Sequence, residues 1–271
     1  MSDVSATAPR LFIAPERFVP AAPLVLKGAP HHYLTRVLRL RTGDAVVLLD
    51  GRGRVGTARV RGVDAEQLEL GWESTATQTA AGPKVVLLCG LLKGDKQDFV
   101  IQKATELGVH ELVAVACQRS VPQLEKERAE KRQLRWLRIA QGAAQQCRRP
   151  DVPQLRGPLP LAAALAEALP ADPPALSLLL YEGPAPPLHA ALSGPGRVPP
   201  LATVRLLIGP EGGFTDAEVA AATAAGFVPA SLGPRILRAE TAVVAALAVM
   251  QYTLDAGSSP DRSRPNPSPG S

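Results

Sequence analysis

The sequence predicts an α/β protein with a largely parallel sheet, preceded by a smaller β domain. Three observations carry this. From Lys84 onward, short apolar runs alternate with amphipathic stretches, the pattern of parallel βα units. Before Trp72 the apolar residues instead alternate singly between turn signals, as in small antiparallel barrels. Between them, Glu73 to Pro83 is rich in Ser, Thr, Ala and Gly, as linkers are. The expected boundaries are a β-barrel domain at 1–73, a linker at 74–83, an α/β domain at 84–256 and a disordered tail at 257–271.

In chain order, Tyr33, Leu34, Val37, Leu38 and Leu40 fall near helical spacing, with Arg36, Arg39 and Arg41 between them. Val46–Leu49 is an apolar run ending at an Asp50-Gly51 turn. Thr57–Arg61 and Gln67–Leu70 alternate as strands with one wet face. In the second domain, Lys84–Leu92, Leu112–Cys117, Leu176–Tyr181 and Val204–Ile208 read as buried strands. Val100, Ile101, Ala104 and Leu107 mark a helix that stops at Gly108. Residues 125–147 form a long basic helix whose expected apolar stripe is Leu134, Leu137, Ala140 and Ala144. Thr215 and Glu218 are spaced as a capping box for a helix running to about Ala225. A last helix, about 239–254, is apolar nearly all round (Val243, Val244, Leu247, Val249, Met250). It needs cover on most sides, from its own subunit or from a partner. The Pro-rich stretches near 150–174 and 184–200 read as surface loops, and Gly257–Ser271 as a tail without a core.

Composition bounds the function. No apolar run approaches the roughly 20 residues of a membrane helix, and the first nine residues lack a secretory pattern. Cys89, Cys117 and Cys147 are widely spaced and odd in number, which fits reduced core thiols of a cytoplasmic protein and neither a disulfide framework nor a metal site. Basic charge is clustered. Residues 31–61 hold seven arginines against two acids, and 126–149 hold eight Lys/Arg against two acids, so both segments suit a polyphosphate backbone. His31 and His32 read as surface residues of the first domain, and His110 and His189 as loop residues.

Two glycine turns carry most of the chemistry. Gly209-Pro210-Glu211-Gly212-Gly213 follows a strand, and Leu232-Gly233-Pro234-Arg235-Ile236-Leu237-Arg238 precedes the last helix. Without a Cβ, backbone N–H and C=O groups approach a ligand closely. The spacing is neither a dinucleotide fingerprint nor a P-loop. It suits a nucleoside bound through backbone contacts. Glu211 is the charge inside the first turn, open to a cation, to ribose hydroxyls or to capping. Arg235, Arg238 and Glu240 are spaced to pair within the second. From the residues alone, a nucleotide-binding metabolic enzyme and a non-catalytic RNA-binding protein both stay open.

The motifs together resemble those of the SPOUT superfamily and, more narrowly, the ribosomal RNA small subunit methyltransferase E family. They are Arg10-Leu11-Phe12, His32–Arg39, Asp50-Gly51-Arg52-Gly53, Lys93-Gly94-Asp95-Lys96, Gln102–Val109, Gln118-Arg119-Ser120-Val121, Arg135-Trp136, Ala143–Arg149 and the two turns, spanning about 10–254. The resemblance implies a PUA-like barrel, a trefoil-knot methyltransferase domain and a homodimer. It implies S-adenosylmethionine-dependent methylation of uridine N3 in 16S rRNA of the small (30S) subunit, in the cytoplasm. A SPOUT enzyme acting on 23S rRNA or tRNA is the alternative. The implied cofactor residues are Leu180, Gly209, Pro210, Glu211, Gly212, Gly213, Leu232, Gly233, Ile236, Leu237, Arg238 and Thr241. RNA-side candidates are Arg10, Arg36, Arg39, Lys93, Lys96, Arg119, Arg148 and Arg149. Catalytic candidates are Arg10, Arg119 and Gln145. The family usually carries Glu-Gln after the paired alanines, and Gln145 stands in the glutamate's place.

Overall fold

The computed structural model describes residues 7–78, 82–120, 129–168, 175–193 and 202–255. Its contacts form two compact units, Met1–Ala80 with Leu137–Val152, and Ala81–Trp136 with Pro153–Ser271. The expected tail, and residues 125–128 of the basic helix, lie outside the described residues.

In the first unit, β1 (Arg10–Phe12), β2 (Leu24–Lys27), β3 (Ala45–Leu49), β4 (Arg54–Val63) and β5 (Gln67–Thr77) form one sheet in the order β1-β3-β4-β5-β2. β1 and β3 are parallel and the other pairs antiparallel. Alternation sends Leu24, Leu26, Ala58, Val60, Leu68 and Leu70 inward against Phe18, Leu34, Val46 and Leu48. Each fully buried leucine contributes about 1.5–3 kcal/mol. The Asp50-Gly51 turn is held by its own carboxylate, which accepts from the backbone N–H of Arg52 and Arg54 (2.8 and 2.9 Å) and from Arg54 Nε (2.6 Å).

Three expectations change here. The helix begins and ends earlier: α1 covers Ala29–His32 and a π-helical turn follows at Tyr33–Val37, closed by Leu38 N–H donating to the Tyr33 carbonyl. Leu34 is buried while Tyr33 and Val37 face solvent. The earlier start turns His31 inward, where Nε2 lies 3.1 Å from the Asp64 carbonyl, so His31 is buried and not a surface residue. The linker also begins later than expected. Ser74–Thr77 extend β5, with Thr75, Ala76 and Thr77 opposite Gly56, Val55 and Arg54, because Ser and Thr suit a strand with one wet face.

The long helix α3 spans Ala129–Gln146 in the described residues. Its buried positions are Trp136, Ala140, Ala143 and Ala144, whereas Leu134 and Leu137 are exposed. That is an i, i+4, i+7, i+8 stripe, rotated from the expected one. Small alanines let the helix approach closely. The leucines stay outside.

In the second unit, β6 (Lys84–Gly90), β7 (Glu111–Ala116), β8 (Gln154–Pro160), β9 (Ala175–Leu180), β10 (Thr203–Ile208) and β11 (Val228–Ala230) form a sheet in the order β11-β9-β10-β6-β7-β8. Every pairing is parallel. The helices are α2 (Asp95–Glu106), α4 (Leu161–Glu167), α5 (Leu188–Leu192), α6 (Asp216–Ala224) and α7 (Ala239–Asp255). α2 ends at Gly108, whose φ of +79° favours glycine.

The edge strand β8 and the helices α4 and α5 replace parts of the expected surface loops. Their prolines mask the pattern, yet an edge strand tolerates proline. His189 accordingly sits in α5 rather than a loop. α7 buries Val243, Ala246, Leu247 and Met250 and packs against α2 and α5, while Tyr252 is exposed. No helix among the described residues is long and apolar enough to cross a membrane.

Candidate functional site

In parallel sheets, loops leaving the carboxyl ends of the strands gather at one edge and form the ligand crevice. Here the loops after β10, β11 and β9 do so, and they line one open cleft of about 1260 Å³.

The first turn, 209–213, is fixed from both sides. Gly213 N–H donates to the Pro210 carbonyl at 2.9 Å, and Gly213 has a φ of +68°. α6 then starts at the expected capping box: Glu218 N–H donates to Thr215 Oγ1 (3.3 Å), and Thr215 N–H donates to Glu218 Oε2 (2.9 Å). The other Glu218 oxygen accepts from Gln118 N–H at 2.7 Å, so the cap also anchors the segment after β7. From that segment Arg119 Nη1 donates to the carbonyls of Gly212 (3.1 Å) and Phe214 (3.3 Å). A Cβ on Gly212 would sit 2.9 Å from Arg119 Cβ, so glycine is what lets Arg119 close on the turn.

Glu211 resolves toward structure. Its Oε1 accepts from Lys96 Nζ (3.2 Å) and Lys93 N–H (3.4 Å). Burial opposes its ionisation, but hydrogen bonds from the backbone and Lys96 outweigh that and hold the carboxyl below its ordinary range.

The second turn contains Gly233 at φ +111°, whose N–H donates to Ser231 Oγ at 3.1 Å. Ser231 ties this turn to the loop after β9: its N–H donates to the Pro186 carbonyl (2.9 Å) and its carbonyl accepts from Leu188 N–H (2.9 Å). Glu240 makes no ion pair with Arg235 or Arg238; its Oε2 is buried without a partner among the described residues.

Of the residues implied for the cofactor, Leu180, Gly209, Pro210, Glu211, Gly212, Gly213, Leu232, Gly233, Ile236, Leu237 and Arg238 all line the cleft. Thr241 does not: one turn into α7, it points to solvent. Lys96 and Arg119, expected on the RNA side, line the same cleft. Tyr181–Ala185 and Pro187, which the glycine count passed over, complete it. A signal existed there, since Gly183-Pro184 after a buried strand repeats the form of Gly209-Pro210.

Of the remaining candidates, Lys93 belongs to the second unit and the others to the first. Lys93 is exposed beside Glu211. Arg36 and Arg39 are exposed, Arg39 at a φ of +57°. Arg148 is exposed at φ +63°, whereas Arg149 is ion-paired to Asp151 at 2.7 Å. Arg10 Nε is buried without a partner among the described residues, and burial, aided by the charge of Arg148, lowers the guanidinium's pKa.

Gln145 donates its side-chain N–H to the Arg10 carbonyl. An ionised glutamate has no proton to give there, so the carboxamide suits this contact. Cys89 and Cys117 are buried, and burial pushes both thiols up to about 12, which suits filler and not nucleophile.

Comparison with known proteins agrees with this layout. The RNA methyltransferase domain family matches residues 80–251, and the RNA methyltransferase PUA domain family matches 31–71. A ribosomal RNA small subunit methyltransferase E from Synechocystis is 35% identical, over 91% of this chain and 78% of its own length. That of Bacillus subtilis is 32% identical, over 84% and 89%. Among solved structures, the ribosomal RNA small subunit methyltransferase E of Neisseria gonorrhoeae bound to S-adenosyl methionine superposes with a TM-score of 0.78 at 30% identity, covering 90% of this chain and 97% of that one. A putative methyltransferase from Legionella pneumophila in complex with the cofactor SAM gives 0.77 at 32% identity, over 90% and 97%.

Proposed function

The chain belongs to the ribosomal RNA small subunit methyltransferase E family, and from that premise we propose that it methylates N3 of one uridine in 16S rRNA, with S-adenosylmethionine as methyl donor. It is an RNA methyltransferase with a PUA-like first unit and a SPOUT-type second unit. The observation that supports the site assignment is the cleft itself: three loops from adjacent parallel strands, two of them glycine turns, around a volume ample for a nucleoside.

The residues fit the cofactor. Gly213 and Gly233 have open space where a Cβ would stand and leave backbone groups open to its adenosine, and Leu180, Leu232 and Leu237 offer apolar walls. The cofactor supplies an activated methyl group; the protein supplies orientation and electrostatics.

Uridine N3 lies on the Watson–Crick edge, so the target base must leave any pairing to reach the cleft. Arg235 and Arg238 line the cleft with exposed side chains, and Lys93 is exposed beside it, placed to meet phosphates. N3 carries a proton at neutral pH. No histidine lines the cleft among the described residues. Arg119 is the catalytic candidate that does, and a guanidinium there would stabilise the uridine anion as the proton leaves to solvent. Arg10 and Gln145 in the first unit fit RNA positioning better than proton transfer.

The exposed Arg36, Arg39 and Arg148 support an RNA-binding face on the first unit, whereas Arg149 is engaged by Asp151. Exposed Tyr252 and Ile236, each 80% accessible, support a homodimer formed through the α7 side of the second unit. A knotted crossing of the C-terminal segment and a cytoplasmic location are part of the same proposal. The test is transfer of labelled methyl groups to isolated 30S subunits, 50S subunits and tRNA. Incorporation into 30S alone is expected; incorporation into 50S or tRNA instead would replace the proposed substrate.

A further inference from the structure

The charges around the cleft are unequal in their freedom. Six charged side chains line it: Lys96, Arg119, Arg235, Arg238, Glu182 and Glu211. Glu211 is neutralised by Lys96 at 3.2 Å. Arg119 is turned onto the carbonyls of Gly212 and Phe214. Glu182 is exposed and makes no ion pair among the described residues. It is therefore the free carboxylate of the cleft lining.

Its place in the fold is central. β9 lies between β11 and β10 in the sheet, so the loop that follows β9 emerges between the two glycine turns. Glu182 is the second residue of that loop. A ligand gripped at its ends by the two turns presents its middle to this loop.

We infer that Glu182 faces the sulfonium of S-adenosylmethionine and sets the preference of the cleft for the methyl donor over the demethylated product. The inference rests on the reading of the cleft as the cofactor site. The two ligands share adenosine and the amino-acid end, and differ by a methyl group and one positive charge at sulfur. S-Adenosylmethionine carries a net positive charge, and a cleft whose other free groups are arginines would otherwise favour the neutral product. A carboxylate about 4 Å from the sulfonium changes this by about fivefold in affinity where water screens fully, and by more where the walls exclude water. The same contact favours exchange of spent for fresh cofactor.

Calorimetric titration with S-adenosylmethionine and, separately, S-adenosylhomocysteine tests this on the full chain and on Glu182→Gln. Glu182→Gln is expected to weaken S-adenosylmethionine about tenfold and S-adenosylhomocysteine less than about twofold, with Glu182→Asp between. Ligand-free melting should stay within about 2 °C, since no packing or pairing is removed. Glu211→Gln is the contrast. It loosens the first turn and should weaken both ligands alike. Equal loss of the two ligands in Glu182→Gln, or no loss of either, overturns the inference while leaving the cofactor site standing. A wild-type chain that binds neither ligand overturns the cofactor reading, and the inference with it.

Discussion

Gly90 is outside both glycine turns, yet it sets where the first of them lies. It ends β6, and a Cβ built there would stand 2.3 Å from Pro210 N, 2.5 Å from Pro210 Cδ and 2.8 Å from the Gly209 carbonyl carbon. Ordinary contact needs roughly 3.5 Å, so in Gly90→Ala the turn must move by about 1 Å. The obstacle is mainly backbone and proline ring, so no side chain can swing aside. Overpacking of this kind costs about 1–3 kcal/mol. Where the turn yields, the cost appears as weaker cofactor binding, about 5- to 150-fold. Where it does not, the cost appears in melting. Calorimetric titration with S-adenosylmethionine and a thermal melt of the same sample read both. Gly142→Ala is the control. It lies within α3, its Cβ would meet nothing within 4 Å, and it should stabilise the chain by up to about 1 kcal/mol with affinity unchanged. Wild-type affinity together with wild-type melting in Gly90→Ala would refute the packing account of the turn.

Arg119→Ala removes both hydrogen bonds to the first turn and should weaken S-adenosylmethionine about five- to tenfold in the absence of RNA. Unchanged affinity without RNA would leave Arg119 a contact to RNA only. Thr215→Ala breaks the capping box of α6 and should cost about 1 kcal/mol, or about 2–4 °C in melting temperature; no shift in differential scanning calorimetry would contradict the cap's role. Glu111 is paired with Lys84 at 2.7 Å and Arg156 at 3.1 Å. Burial opposes its ionisation, but those hydrogen bonds outweigh it and hold the carboxyl below its ordinary 4.5. A carboxyl depressed in the folded state stabilises at pH above the unfolded value and ceases to as pH falls through the folded one. Urea titrations should therefore show wild type more stable than Glu111→Gln at about pH 7, with the gap closing toward about pH 3; a gap constant across that range would argue against the pairing.

What was legible in the sequence was what is decided locally. The glycine turns, the Thr215–Glu218 cap, the Gly108 stop and the strands β6, β7, β9 and β10 each follow from a few neighbouring residues, and the structure places them within a residue or two. What escaped depends on partners distant in sequence. β8 contains Pro158 and Pro160 and reads as loop until β7 pairs with it. Ser74–Thr77 look like linker composition until β4 supplies their ladder. The stripe of α3 is set by where alanines can approach closely, and leucine spacing pointed elsewhere. His31 was displaced from the expected surface by a helix that begins at Ala29. In the site, glycines mark two of the three loops; the third, with Glu182, owes its place to the strand order that sets β9 between β10 and β11.

The central claim is that the cleft serves methyl transfer to uridine N3 on the small subunit. Its most direct test is incubation of the full chain with 30S subunits and methyl-labelled S-adenosylmethionine, followed by digestion of the rRNA and mass analysis of its nucleosides. The expected result is label in N3-methyluridine from a single position of 16S rRNA, absent when Gly212→Val replaces the wild type. Label in any other nucleoside, or none in 16S rRNA from a chain that binds the cofactor, would contradict the account.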